Sequence, residues 1–203
     1  MDIRSRLSGG GTLPPREPVE NVAFAFIGGF LAIALIVWLT GTLHMTLVLG
    51  SFGATCVLVF GFPKVPFSQP RNVIAGHFMS SLIGLVFLNL FGYTWWSTAL
   101  AVGTAISFMI LTRTVHPPAG SNPVIVMATH PQWAFLLTPT LYGALLILFV
   151  AIVVNNLGAV RRYPAYWIGL SPVRNAPETN AKLQRLADPI RGEADEQRQG
   201  TTS

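Results

Sequence analysis

Arg113, His116, Ser121 and Asn122 fall close together on a stretch that also carries three prolines and a glycine, Arg113-Thr-Val-His116-Pro117-Pro118-Ala-Gly120-Ser121-Asn122-Pro123. A fixed cation, an imidazole that titrates near neutrality and side-chain hydrogen-bond donors are the groups needed to hold a small anion or pass a proton. Proline removes a backbone donor and restricts the residue before it, so a continuous helix is not expected through Pro117-Pro118. Long apolar runs flank the stretch, and a backbone break at membrane depth must line protein or water. A cytoplasmic loop that caps the following helix is the plainer reading of the same residues.

A second interruption, Gly50-Ser51-Phe-Gly53-Ala-Thr55, lies inside another apolar run. Short helices starting near Gly53 and Gly120 would present free N–H groups and positive dipole ends to an anion. Ser51, Thr55, Ser121 and Asn122 would add side-chain donors. Gly50, Gly53 and Gly120 would let backbone approach the ion, with close helix packing as the competing reading. Arg113 reads as counter-charge or steering residue, or as a snorkelling surface arginine. Arg71, beside Gln69 and Asn72, reads as a charge at the cytoplasmic mouth, and Lys64 as a topology charge. His77 and His116 are candidates for proton coupling or gating, or for hydrogen bonds that fix helix packing. His44 and His130 fall in outer turns.

Composition limits the alternatives. The chain has 203 residues, of which 51% are hydrophobic and 10% charged, and its mean hydropathy is +0.53. These values fit a polytopic membrane protein rather than a soluble domain. The charges at the two ends cancel, so the net +5 comes from Lys64, Arg71, Arg113, Arg161 and Arg162, a distribution that does not point to nucleic acid. No carboxylate occurs between Glu20 and Glu178. The span region thus lacks the usual ligands of hard cations and the usual carboxylate proton relay. One cysteine, Cys56, allows neither an internal disulfide nor a cysteine cluster. No metal or cofactor is implied, and no catalytic triad or nucleotide motif survives inspection, so an enzyme is not expected.

The elements that must position these residues follow from the apolar runs. Residues 1–20 read as a flexible cytoplasmic arm without a cleavable signal. Apolar segments are expected over about 21–40, 45–61, 73–91, 97–112, 123–129 and 134–155. Residues 158–170, with Arg161-Arg162-Tyr163, read as an interfacial anchor, and 171–203 as a polar cytoplasmic tail with a short helix near 178–186. Shifting the chain by 67 residues superposes Gly53 on Gly120, Gly76 on Gly143 and Asn89 on Asn156. The expected fold is therefore an all-α membrane protein of about six segments, in two inverted three-segment repeats over 21–91 and 92–157. With both termini cytoplasmic, all 13 basic residues fall on the inner side, as the positive-inside rule requires. The eleven residues Ala119–Thr129 would rise only about 16 Å as a helix, short for a crossing.

Gly50-Ser-Phe-Gly-Ala-Thr with Val57-Leu-Val-Phe-Gly61, Gln69-Pro-Arg-Asn72 with Gly76-His77, and Leu111-Thr-Arg-Thr-Val-His-Pro-Pro-Ala-Gly120 together resemble the HPP family of integral membrane proteins. The resemblance covers roughly residues 21–157. It implies a membrane domain usually described with four transmembrane helices, and a role in nitrite transport for some members. Some members also carry CBS domains, whereas this sequence continues only as a short polar tail. Ser121-Asn122 stands where the family pattern commonly has a small residue, which adds hydrogen-bonding groups.

The resulting expectation is transport of a small inorganic anion, nitrite first, by a homo-oligomer in a bacterial inner membrane. Transport of a larger organic anion, such as a sulfonate or carboxylate, and a non-transporting scaffold or sensor are the alternatives.

Overall fold

The first helix, α1 (Val19–Leu43), is apolar on nearly every face, yet it buries only Gly28, Ala32 and Ile36, one residue per turn. Phe26, Phe30 and Trp38 on its other faces are exposed. A helix apolar all round with one narrow packed stripe is built to face lipid. This computed structural model describes residues 13–157 and 161–168. The expected arm is therefore described only from residue 13 and the interfacial anchor only over 161–168. The tail 171–203 and its expected helix lie outside the described residues.

After His44, which closes α1 in the left-handed region, the chain has no regular structure through Leu49 and turns at Gly50-Ser51. α2 (Phe52–Cys56) follows and continues as a π-helical turn over Val57–Gly61. A loop with a 3-10 turn at Pro66–Ser68 leads to α3 (Pro70–Phe91), which starts with Pro at a position where no donor is needed. α4 (Trp95–Leu111) is opened by a capping box between Thr94 and Ser97. The sequence Pro117-Pro118 breaks the helix as expected. His116 is extended, a 3-10 turn spans Pro117–Ser121, and α5 (Asn122–Thr129) continues from it. A 3-10 turn (Trp133–Leu136) and a π-turn (Leu137–Leu141) interrupted by extended Thr138 lead into α6 (Tyr142–Asn156).

No strand occurs among the described residues, and the all-helical architecture is as expected. Three helical segments are long and apolar enough to cross a membrane: Val19–Leu43, Pro70–Phe91 and Trp133–Asn156. Phe52–Gly61 and Trp95–Leu111 are shorter apolar helices.

α1 packs on α6, α4 packs on α3, and α3 also packs on α5. Small residues set these approaches. A Cβ on Gly84 of α3 would lie 2.9 Å from the Pro123 Cα of α5, and one on Gly76 would lie 2.7 Å from the His116 Cβ. Gly28 of α1 lies against the Phe60 ring, and Gly143 of α6 lies against the Phe52 ring, where a Cβ would also come 2.7 Å from the Leu47 carbonyl oxygen. The apolar core is built from Leu47, Phe52, Val59 and Phe60 against Ile147, Leu148 and Ala151.

Candidate functional site

The backbone that the two breaks leave without helical partners is satisfied by α3 and by the segment after α6. α3 is apolar outside and polar inside, because Asn72, Gly76, Ser80 and Gly84 recur every four residues on one stripe and His77 and Ser81 flank it. Arg71 Nη2 donates to the Thr112 carbonyl at 3.0 Å and Asn72 Nδ2 to Val115 O at 2.9 Å. Ser80 Oγ donates to Ala119 O at 2.6 Å. Side chains of one helix thus donate to three carbonyls in and just before the second break, as a dry interior favours.

At the end of the first break, carbonyls of the π-turn find partners in the last turn of α6 and just beyond it. Asn155 Nδ2 donates to Val59 O at 3.1 Å and Arg161 Nη2 to Phe60 O at 3.1 Å. Arg161 Nη1 also donates to Asn155 Oδ1 and its Nε to Asn21 Oδ1. The guanidinium lies 5.1 Å from the Phe24 ring centroid, a cation–π contact. Burial lowers the Arg161 pKa, while Glu17 and Glu20 raise it. Tyr163 OH donates to Ser68 O at 2.7 Å. Arg161 and Tyr163 thus turn inward, while Arg162 and Trp167 stay exposed.

Between the breaks lies a cluster of fully buried polar side chains. Ser51 Oγ of the first break donates to Asn122 Oδ1 of the second at 2.8 Å. Asn122 Nδ2 donates to Ser81 Oγ at 2.9 Å and to the His77 carbonyl at 3.2 Å. That carbonyl only accepts, which fixes the orientation of the amide. The same nitrogen lies 3.1 Å from His77 Nδ1. Thr55 Oγ1 sits between two rings, 2.8 Å from His77 Nε2 and 3.0 Å from His116 Nε2. His116 Nδ1 lies 2.7 Å from the Phe67 carbonyl, and Ser81 Oγ lies 3.2 Å from Thr140 Oγ1. The two imidazoles meet edge to face with centroids 4.9 Å apart. Asn122, Thr55, His77 and His116 are each 0% exposed.

Two hollows lie elsewhere among the described residues, neither lined by a junction side chain. One, of about 390 Å³, is lined by Val48, Gly50, Ile125, Gln132, Phe135 and Thr138. The other, of about 280 Å³, is lined by Glu17, Asn21, Phe62, Lys64 and Arg161. The first lies just beyond the C-terminal end of α1 and the second at its N-terminal end, so they sit at opposite ends of the bundle.

Over residues 14–164 the chain matches the family described as HPP, transmembrane region. It belongs to that family. A transmembrane protein of Dictyostelium discoideum is 39% identical to it over 166 residues, covering 76% of this chain and 58% of that protein. A second transmembrane protein of the same organism is 35% identical over 171 residues, covering 78% and 55%. The chain thus spans little more than half the length of the curated relatives it matches. No solved structure matches it.

Of the residues singled out in the sequence of this HPP protein, Ser51, Thr55, His77, His116 and Asn122 come together at the junction. Gly50 does not enter it but lines the larger hollow. Gly53 is exposed and Gly120 half-buried, and neither has a neighbour where a Cβ would be. Ser121 is exposed and bonds Pro118 O locally. Arg113 is exposed just past α4, with φ +56. Arg71 is half-buried against the second break. His44 and His130 are exposed and end α1 and α5 in the left-handed region. Ser81, Thr140, Asn72 and Ser80 were not singled out as site residues. For the three on α3 the signal is the four-residue spacing, where His77 leads to Ser81 and Asn72 to Gly76, Ser80 and Gly84; Thr140 lies in the turn before α6 and has no such signal.

Proposed function

We propose that this HPP protein carries a small inorganic anion across the membrane, with nitrite the first candidate, through the junction of its two helix breaks. The observation that carries this reading is the 2.8 Å bond from Ser51 to Asn122, which joins the breaks at the centre of a buried polar cluster. Such a cluster inside an apolar bundle is costly unless it has a use. A region with no carboxylate favours an anion over a cation. In this reading the arrangement is a closed state, and solute reaches the junction from one hollow at a time. Nitrite itself comes from the family resemblance and not from a fitted pocket.

The same proposal includes an inverted repeat. The shift of 67 residues maps Gly76 on Gly143, Thr114 on Leu47 and Ala119 on Phe52. Gly76 faces the Thr114 carbonyl and Ala119, and Gly143 faces the Leu47 carbonyl and Phe52. The packing of α4 on α3 likewise mirrors that of α1 on α6. If each irregular stretch and its short helix cross together, each unit has three crossings and the units are opposed. The bilayer meant is a bacterial inner membrane with both termini cytoplasmic, an orientation supported by the charge pattern. Assembly with further copies belongs to the proposal too, since Leu100, Ile106 and Ile110 of α4 are exposed to lipid or to a neighbour.

Two observations favour other readings. The hollow of about 390 Å³ exceeds what nitrite needs and supports a larger organic anion such as a sulfonate or carboxylate. The hydrogen bonds of the junction are mutually satisfied, which supports a packing role in a scaffold or sensor. Uptake of nitrite into liposomes holding the purified protein, with sulfonates and carboxylates as competitors, separates the three. Saturable uptake above empty liposomes supports the inorganic-anion carrier. Stronger competition by the organic anions transfers the function to them, and no uptake of either favours the scaffold.

A further inference from the structure

The bond directions inside the junction are determined by which atoms can only accept. The Phe67 carbonyl accepts, so the ring nitrogen 2.7 Å from it, Nδ1 of His116, carries the proton. A buried imidazolium without a counter-ion is costly, and no carboxylate exists in this part of the chain, so each ring holds one proton. Nε2 of His116 is then a bare acceptor whose donor is the Thr55 hydroxyl at 3.0 Å. That hydroxyl has one proton. Having given it to His116, its oxygen accepts from His77 Nε2 at 2.8 Å. Nδ1 of His77 is bare in turn and faces the Asn122 amide N–H at 3.1 Å. The other donor contact of Thr55, to Ser51 O at 3.2 Å, competes for the same proton, but that carbonyl already accepts from the Thr55 backbone N–H at 3.1 Å.

We propose that His77, Thr55 and His116 form a proton relay of fixed direction, with the Thr55 hydroxyl as its link, running from the Asn122 amide to the Phe67 carbonyl. It deepens the transport reading, on which its coupling to an anion rests. One transfer balances as follows. A proton binds Nδ1 of His77, and the Nε2 proton of His77 passes to Thr55 Oγ1. The former Thr55 proton passes to Nε2 of His116, and the Nδ1 proton of His116 leaves to water at the Pro66–Ser68 loop. One proton enters, one leaves, and both rings have exchanged tautomers. Nδ1 of His116 then lies bare against the Phe67 carbonyl, so the tautomers exchange back before the next proton passes. His77 now presents an N–H towards Asn122, so the Asn122 amide must turn to offer its oxygen. That turn reverses the Ser51–Asn122 bond, so that the Ser51 hydroxyl accepts, and it sets the amide oxygen against the His77 carbonyl. Proton passage thereby weakens the hold of Asn122 on α3.

Threonine has a close apolar isostere in valine and a smaller hydroxyl counterpart in serine, which gives a clean pair of variants. Wild type, Thr55→Val and Thr55→Ser are placed in liposomes with a trapped pH indicator, under a potassium diffusion potential, with and without nitrite. The relay predicts proton flux above empty liposomes in wild type, at least tenfold less in Thr55→Val and most of it restored in Thr55→Ser. Nitrogen-15 NMR of labelled histidine should show His116 protonated at Nδ1 and His77 at Nε2 in wild type. Proton flux without nitrite uptake keeps the relay and removes nitrite. Nitrite uptake with equal proton flux in wild type and Thr55→Val, or the opposite pair of tautomers, overturns the relay and leaves transport standing. Absence of proton flux in wild type, with or without nitrite, also overturns it.

Discussion

Ser51 and Asn122, 71 positions apart, share a 2.8 Å hydrogen bond that links the two helix breaks directly, beside the 3.0 Å contact of Thr55 with His116. Ser51 lies in the turn before α2 and Asn122 is the first residue of α5. Asn122 serves on both of its polar ends, accepting from the first break and donating to two residues of α3. The breaks are held together by side chains from three elements, so displacing any one of them disturbs the others.

Close approach of α3 to α5 depends on Gly84. A methyl there would meet Pro123 Cα at 2.9 Å and Val126 Cβ at 3.1 Å, neither of which is a flexible side-chain end. Gly84→Ala should lower stability by about 1–3 kcal/mol, the usual range for overpacking. Gly53→Ala, with nothing within 4 Å, should be neutral or slightly stabilising. Thermal unfolding of the two variants in detergent checks the contrast. Equal midpoints would mean that the helices have room to separate.

The paired arginines after α6 should behave differently. Arg161 donates to Phe60 O, Asn155 Oδ1 and Asn21 Oδ1, whereas Arg162 is exposed. Arg161→Ala leaves buried acceptors behind and should cost about 2–4 kcal/mol, given the worth of charged hydrogen bonds. Arg162→Ala should change stability by no more than about 0.5 kcal/mol. Limited proteolysis and thermal unfolding would report both, and a tolerant Arg161 would contradict the inward latch.

The long spans were legible because each is an uninterrupted apolar run, and the break at Pro117-Pro118 was legible because proline chemistry is local. Helix ends moved by only a few residues, for instance 73–91 becoming Pro70–Phe91 once Pro70 took the first helical position. Which residues of a short helix face inward was not legible. Five residues of α2 make less than two turns, so periodicity does not choose between Gly53 and Thr55, and the structure exposes the first and buries the second. Arg161 read as an interfacial charge because its main partner, Phe60 O, is 101 positions away.

Tyr163 supplies a pH dependence. Its hydroxyl is buried on Ser68 O, and burial raises its pKa above the ordinary 10.0. The folded state therefore holds this proton at a pH where the unfolded chain has released it, so stability is full below about pH 10 and falls as pH rises above it. Tyr163→Phe should be less stable at neutral pH by about 1 kcal/mol and should show a shallower alkaline decline. Unfolding midpoints measured from neutral to strongly alkaline pH would reveal the difference, and parallel curves would rule out the assignment.

Arg113 is exposed outside the junction, so its role in transport would be steering. Attraction of an anion by an exposed charge is screened over about 8–10 Å at physiological salt. Arg113→Ala should slow nitrite uptake several-fold at low ionic strength, and by less than about twofold at high salt. A loss that persists undiminished in high salt would move Arg113 into the binding machinery.

The most direct test is nitrite uptake by liposomes containing wild type or Asn122→Leu, a substitution of similar size without hydrogen-bonding groups. Retained monodispersity and a cooperative unfolding transition would verify that the variant is folded. Transport through the junction predicts saturable uptake in wild type and a loss of at least about tenfold in Asn122→Leu, the effect of about 1.4 kcal/mol or more on the limiting step. Wild-type uptake in folded Asn122→Leu would contradict passage through the Ser51–Asn122 junction.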